Sequence, residues 1–282
     1  MSTTKNETKT KIPALMWAFT IVLALGAALG GYIIGLNEGR DQATAASQAP
    51  QPTAGQPTNG QAGEHASQPA DISDVQPGTD FNGDNATDAT LYGAGDDGEV
   101  GRRNADDAMA MGAVDAPIVI SEFSSFGCPY CARHNNETEQ RIVEEYVETG
   151  LVRLEWNDFP INGPNSEDAA RAGRAAAEQG KFFEFKDALF AEFEARGGQF
   201  TQEDFLRYAE EAGVADLDKF AADATSDKYD EAIAGSRQFG SELGIDGTPS
   251  FVIGTQTISG ALPFEQFEVV INEELVESQE RV

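Results

Sequence analysis

Cysteine and histidine are the scarcest reactive side chains in this sequence. The 282 residues hold two cysteines, Cys128 and Cys131, and two histidines, His65 and His134. A structural zinc site needs four ligands, and these four side chains are all the Cys and His the chain offers, with His65 distant in sequence from the rest. Covalent haem attachment wants His directly after the second Cys, where Ala132 stands instead. No metal and no cofactor is expected. Basic residues are also few, 19 against 48 acids, for a net charge of −29. Such a chain repels phosphate, so nucleic acid is not an expected partner. Between residues 41 and 100 there are ten acids and no base.

The charges divide the chain. From Ile12 to Leu36 none occurs, and as a helix these 25 residues reach about 37 Å, enough to span a bilayer with some tilt. Lys5, Lys9 and Lys11 precede the run, so the positive-inside rule predicts a cytoplasmic tail at 1–11, a transmembrane helix at 12–36 and everything beyond outside the membrane. The competing expectation is a cleaved signal peptide with its site at Ala43-Thr44-Ala45, although the apolar run exceeds the 7 to 15 residues of an h-region. Gly26/Gly30 and Gly31/Gly35 fit GxxxG, a weak pointer to helix pairing. Residues 37–105, rich in Gln, Pro, Ala, Gly, Ser and Thr, are expected to be a disordered acidic linker. Sixty flexible residues reach roughly 45 Å. DFNGD (Asp80 to Asp84) resembles the start of a calcium loop, but Asn85 stands where Gly is needed, and an ordinary acidic linker is the expectation.

From about residue 106 the pattern turns globular. PIVISEF (Pro117 to Phe123) reads as a strand, SSFG as a turn, the residues from Cys128 as a helix, and LVRLEWNDF (Leu151 to Phe159) as a second strand. About 164–243 then reads helical, with Thr201 and Asp204 as a cap and Gly180, Gly197 and Gly213 at helix ends. GTPSFVIG and TQTISG suggest a hairpin, followed by a last helix from Pro263 to about Gln279. Strands on both sides of a helical block share one sheet only if the block is an insertion. The expected fold class is α/β.

The two cysteines lie in SSFGCPYCARH, separated by Pro129 and Tyr130. A purely structural disulfide would close so small a loop that little entropy is gained. A redox pair fits better. At a helix N-terminus the free N–H groups and the positive dipole end favour a Cys128 thiolate, and Pro129 suits the first helical position. Cys131, one turn on, points into the domain. Glu122 is the one acid in its strand, and alternation puts it on the face of Ile118 and Ile120, a poor place for a charge; an acid on a solvent-facing edge is the bland alternative.

GAVDAPIVISEFSSFGCPYC, NDFPI, AAAEQGKFFEFKDALF, GIDGTPSFVIG and SGALPFEQF together resemble the DsbA-like thiol:disulfide oxidoreductases, over about residues 109 to 277. The resemblance implies a thioredoxin-like fold with an inserted all-helical subdomain, occupying 106–282 and preceded here by the membrane helix and the linker. It implies that Cys128 is the exposed nucleophile, Cys131 the buried resolving cysteine, and Glu122 the buried acid that passes a proton to or from Cys131. Thr248 and Pro249 match the loop whose cis proline faces the cysteines and leaves room for a substrate strand. Pro129 and Tyr130 complete the substrate-facing set, and Phe126 and Phe264 are further candidates for contact with unfolded peptide. His134 is expected on the helix surface, and the Phe-rich helices (Phe182, Phe183, Phe185, Phe190, Phe193) in the core of the insertion.

The implied activity is disulfide formation in reduced or unfolded exported polypeptides, with a quinone-linked membrane partner restoring the disulfide. Tyr130 replaces the His of the best-known relatives and carries no positive charge beside Cys128, so a milder oxidant is expected, within about −120 to −230 mV. A reductase or isomerase kept reduced, and a non-catalytic peptide-binding chaperone, are the alternatives. The expected location is the cell membrane, single-pass, with the catalytic domain extracytoplasmic.

Overall fold

A computed structural model describes residues 69–81 and 99–281. The predicted tail, the membrane helix at 12–36, its GxxxG pairs and most of the linker lie outside the described residues. Among the described residues no helix is long and apolar enough to cross a membrane.

A five-stranded sheet in the order β1-β3-β2-β4-β5 organises the domain: β1 (Ala110–Met111), β2 (Ile118–Ser124), β3 (Val152–Asp158), β4 (Ser250–Ile253) and β5 (Gln256–Ser259). β2 and β3 are parallel and every other pair is antiparallel. Parallel neighbours need a crossover. It begins with α1 (Pro129–His134), widens into π winding over Asn135–Glu139, returns to α2 (Gln140–Ile142), and widens again over Val143–Val147.

Between β3 and β4 the chain makes the predicted helical excursion: α3 (Pro164–Ala177), α4 (Phe182–Ala191), α5 (Phe193–Arg196), α6 (Gln202–Glu211), α7 (Leu217–Ala224) and α8 (Asp230–Glu242). Thr201 and Asp204 form a reciprocal capping box at the start of α6, and Asp216 caps α7 through the Lys219 N–H. α7 ends at its C-cap Thr225, and α8 begins at Asp230. The closing helix α9 (Phe264–Glu280) packs on the sheet.

Strand alternation sorts the cores. Ile118, Ile120, Val152 and Leu154 face Phe267, Ile271 and Leu275 of α9. Further along the same face of β3, Trp156 turns to the insertion, where it joins Phe126, Phe182, Phe185 and Phe190. Gly173 of α3 lets that helix approach the cluster, since a Cβ there would lie 2.9 Å from the Phe126 ring. The Phe-rich helices are thus the insertion's core, with Phe183 only partly buried at its margin.

The linker boundary expected at residue 105 is corrected. Residues 99–105 cross the far face of the sheet, and Val75, Asp80, Glu99, Val100 and Arg102 are all buried. The Arg102 and Arg103 N–H groups donate to the buried Glu155 carboxylate at 2.6 and 2.9 Å, and the Arg102 guanidinium donates to the Asn157 side chain at 2.5 Å. Composition counted the acids of this stretch and missed that a few apolar side chains and two arginines have partners waiting on β3.

Candidate redox active site

Pro129 opens α1 because its ring presets the first helical φ and it has no N–H to leave unpaired. Cys128 is therefore the N-cap, in extended conformation (φ −98°, ψ 122°), with its carbonyl accepting from the Ala132 N–H at 3.1 Å. No side chain caps the first turn, so its free N–H groups remain available to the Cys128 sulfur. Both cysteines are free thiols.

The Cys128 thiol is lowered from 9.0 to about 6. The hydrogen bond from the Cys131 thiol contributes most; burial opposes it, and the Thr248 side chain and the Cys131 and Tyr130 backbone N–H groups add to the lowering. The helix terminus expected to dominate is thus one contributor behind the neighbouring thiol. Cys131 moves the other way, well above its ordinary value, first through burial and then through its hydrogen bond and charge interaction with Cys128. Two thiols one helical turn apart are thus shifted in opposite directions.

The Thr248-Pro249 peptide is cis, and the Thr248 carbonyl accepts from the Cys128 thiol at 3.2 Å. The Thr248 hydroxyl donates to Asn162 Oδ1 at 3.2 Å, tying this loop to the segment after β3. Closed over by the loop, Cys128 is 2% exposed. This corrects the expectation of an exposed nucleophile: the helix start points at the surface, but the Thr248 loop lies on it. Tyr130 is 57% exposed beside it. Phe126 and Phe264 are not peptide contacts as expected, being 1% and 3% exposed. Phe126 follows the strand into the insertion's aromatic cluster, and Phe264 packs beneath the Arg141 guanidinium, 3.7 Å from its ring centroid.

Glu122 is buried at 2% exposure, and its carboxyl is raised from 4.5 to about 8. Burial is the main cause, the Glu139 carboxylate adds to it, and Lys186 works against it. The buried Ser124 hydroxyl acts to lower both Glu122 and Cys131.

His134 is the clearest correction. Expected at the surface, it is 1% exposed, with its ring 4.5 Å from Phe251 and 5.1 Å from Phe267. It lies three residues after Cys131, and positions i and i+3 share a helix face, so the turn that buries the thiol buries the imidazole. Burial, seconded by Lys186, depresses it to about 3 and keeps it neutral.

Glu122, His134 and Glu139 bring ligand atoms within 4.8 Å of one another, a grouping that could hold a metal ion. Lys186 already supplies a cation there, its ammonium bonded to Glu139. Glu139, Lys186, Ser124 and Asn162 join the site without being expected from the sequence. Lys186 had a signal: a lone base inside the apolar run FFEFKDALF.

A family model described as thioredoxin matches residues 104–273. Among curated proteins, a probable disulfide bond formation protein D of Bacillus cereus is 28% identical over 171 residues, covering 59% of this chain and 78% of that protein. The Na(+)/H(+) antiporter NhaA 3 of Salinispora tropica is 30% identical over 162 residues, covering 57% of this chain and 24% of its own length. The chain thus spans about a quarter of the antiporter relatives it matches. Among solved structures, oxidised BdbD from Bacillus subtilis aligns with a TM-score of 0.57 at 18% identity, over 61% of this chain and 94% of that one. Wolbachia pipientis alpha-DsbA1 aligns with a TM-score of 0.54 at 21% identity, over 61% and 93%. At these identities the likeness is one of fold.

Proposed function

The chain belongs to the thioredoxin family, and from that premise we propose that it is a DsbA-like thiol:disulfide oxidoreductase working as an oxidase, introducing disulfides into exported polypeptides. The carrying observation is the split between the two thiols, Cys128 lowered and Cys131 raised, at a helix start facing Thr248 and Pro249. A stabilised Cys128 thiolate favours the reduced enzyme, and so makes the oxidised enzyme give up its disulfide readily.

In the forward direction a client thiolate attacks the Cys128 sulfur of the oxidised pair. The bond between the two enzyme sulfurs breaks, and Cys131 leaves as a thiolate. Glu122, protonated near neutrality, gives its proton to that thiolate and becomes a carboxylate. A second client thiolate then attacks the client sulfur of the mixed disulfide and expels Cys128 as a stable thiolate. The client has lost two electrons, and the enzyme dithiol has gained them. A re-oxidising partner must remove them, and a quinone-linked membrane protein is the proposed one.

Tethering by residues 12–36, with the N-terminus cytoplasmic and the catalytic domain outside, belongs to the same proposal and is supported by the charge-free run and the lysines before it. The test is to isolate mixed disulfides from cells carrying Cys131→Ser. Exported cysteine-containing proteins bound through Cys128 are expected, and the wild-type pair is expected mostly oxidised in vivo. A mostly reduced pair favours the reductase, and full cellular function of Cys128→Ser favours the chaperone.

A further inference from the structure

The loop that covers Cys128 is held unevenly. On the sheet side, the Gly260 N–H donates to the Pro249 carbonyl at 2.8 Å, the Ser250 hydroxyl donates to the Gly247 carbonyl at 2.8 Å, and the Ser250 and Ser259 hydroxyls meet at 3.2 Å. Arg133 of α1 fixes the neighbouring turn, donating to the Ala261 carbonyl at 2.6 Å. On the other side, among the described residues, one hydrogen bond ties residues 246–249 to the segment after β3, the bond from the Thr248 hydroxyl to Asn162. Asn162 is exposed and Thr248 half-buried, so water competes for that bond. The Asn162 backbone, by contrast, is firmly set. The Ile161 N–H turns back onto the Phe159 carbonyl, Gly163 caps α3 at φ 91°, and a Cβ on Gly127 would lie 3.0 Å from the Asn162 carbonyl oxygen. Asn162 thus rests against the residue preceding Cys128 while its side chain reaches the loop that covers it.

We propose that Asn162 is a positioning residue that latches the Thr248-Pro249 loop over Cys128, and that the latch selects extended polypeptide over small reactants. The proposal rests on Cys128 being the nucleophile, as read above. In the dithiol form the Thr248 carbonyl accepts from Cys128, and the single proton of the Thr248 hydroxyl goes to Asn162 Oδ1. A partner that reaches the sulfur has to move that carbonyl aside, and the firm sheet side leaves the Asn162 side as the one that yields. Asn162 Oδ1 is then free to accept a backbone N–H of the partner. An extended peptide offers one while its reacting atom sits at the sulfur, and a small reactant lacks the length to do so. Ile161, next to Asn162, and Tyr130, in the first turn after Cys128, are 37% and 57% exposed and add apolar surface for such a segment.

The test separates access from acidity. The reduced full chain is alkylated at fixed pH with iodoacetamide, and with an unstructured peptide carrying the same iodoacetamide group on a central side chain. In both reactions the Cys128 thiolate displaces iodide and a carbon–sulfur bond forms, and mass spectrometry of digests identifies the modified sulfur. Each rate constant is divided by the thiolate fraction of that variant, read from absorbance near 240 nm. Asn162→Ala is expected to accelerate iodoacetamide about two- to tenfold, the range that one hydrogen bond allows, and to reduce the preference for the peptide by a similar factor. Thr248→Val, which removes the donor of the latch, should do the same, the double variant no more than either single one, and Thr248→Ser should keep the wild-type rates. Should Asn162→Ala fail to fold, Thr248→Val decides. Unchanged corrected rates and peptide preference overturn the proposal, and so do rate changes that vanish once the thiolate fraction is divided out. Alkylation of Cys131 in place of Cys128 in the wild type overturns the nucleophile reading instead, a result separable from the ratios.

Discussion

Phe126 separates two accounts of the segment before the cysteines, and its truncation is the most informative stability experiment. Two residues before Cys128, it could serve as an apolar contact for client peptide or as a pin between sheet and insertion. The structure gives it 1% exposure and ring centroids 5.0 Å from Trp156, 5.5 Å from Phe190, and 6.2 Å from both Phe182 and Phe185. Phe126→Ala therefore removes a ring from the centre of a cluster that two separate parts of the chain build. A buried Phe→Ala change costs about 3–5 kcal/mol. The site has little freedom to collapse, because α3 already touches the ring through Gly173. At roughly 2–4 °C per kcal/mol for a domain of this size, the melting temperature should fall by about 6–20 °C. Thermal or urea unfolding of wild type and variant, paired with client kinetics well below the transition, checks both accounts. The predicted outcome is a large stability loss with KM for client nearly unchanged. A loss below about 1 kcal/mol together with a raised KM would refute the packing argument and restore the peptide-contact role.

Three further outcomes are expected. Gly254→Ala should destabilise the β4–β5 hairpin by about 1–3 kcal/mol in urea unfolding, because φ is +56° and a Cβ would sit 2.1 Å from Glu274 Oε2, a buried carboxylate that grips the Thr255 N–H at 3.0 Å; a neutral result would show that α9 yields freely there. Tyr130→Ser should reduce kcat/KM for unfolded client several-fold and leave the Cys128 titration in place, since the ring is exposed and supplies its backbone N–H rather than its hydroxyl to the thiolate; a shifted titration would contradict this. His134 is held neutral down to about 3 when folded but takes up a proton near 6.5 when unfolded, so its burial contributes stability that is fully present above 6.5 and lost as pH falls toward 3; His134→Phe should flatten this acid limb in pH-dependent unfolding, and an unchanged limb would assign it to other groups.

The frame of the fold was readable because local signals agreed with tertiary structure. Pro129 after Cys128, the Thr201 and Asp204 cap and the break at Thr225 each obey rules that act over a few residues. The strand carrying Glu122 was equally legible, since period-two alternation alone places that acid among Ile118 and Ile120. What failed depends on partners remote in sequence. Arg102 and Arg103 look like linker residues until Glu155 and Asn157 are seen beneath them, 52 to 55 positions away. Glu139 and Lys186 are 47 positions apart and meet only because the insertion folds back over β3. His134 was misjudged for a different reason, since its spacing from Cys131 already placed it on the inward face. The cover that Thr248 gives Cys128 depends on the return of the chain after 120 residues, which no local pattern announces.

All of the proposed chemistry depends on a Cys128 sulfur that ionises near pH 6 while Cys131 keeps its proton. The direct measurement is the pH dependence of thiolate absorbance near 240 nm, or of Cys128 alkylation, in the reduced wild-type protein, with Cys131→Ala alongside. The account predicts a midpoint close to 6 in the wild type and a higher one in Cys131→Ala, where the largest stabilising hydrogen bond is gone. A wild-type midpoint near 9, the value of an ordinary thiol, would contradict it.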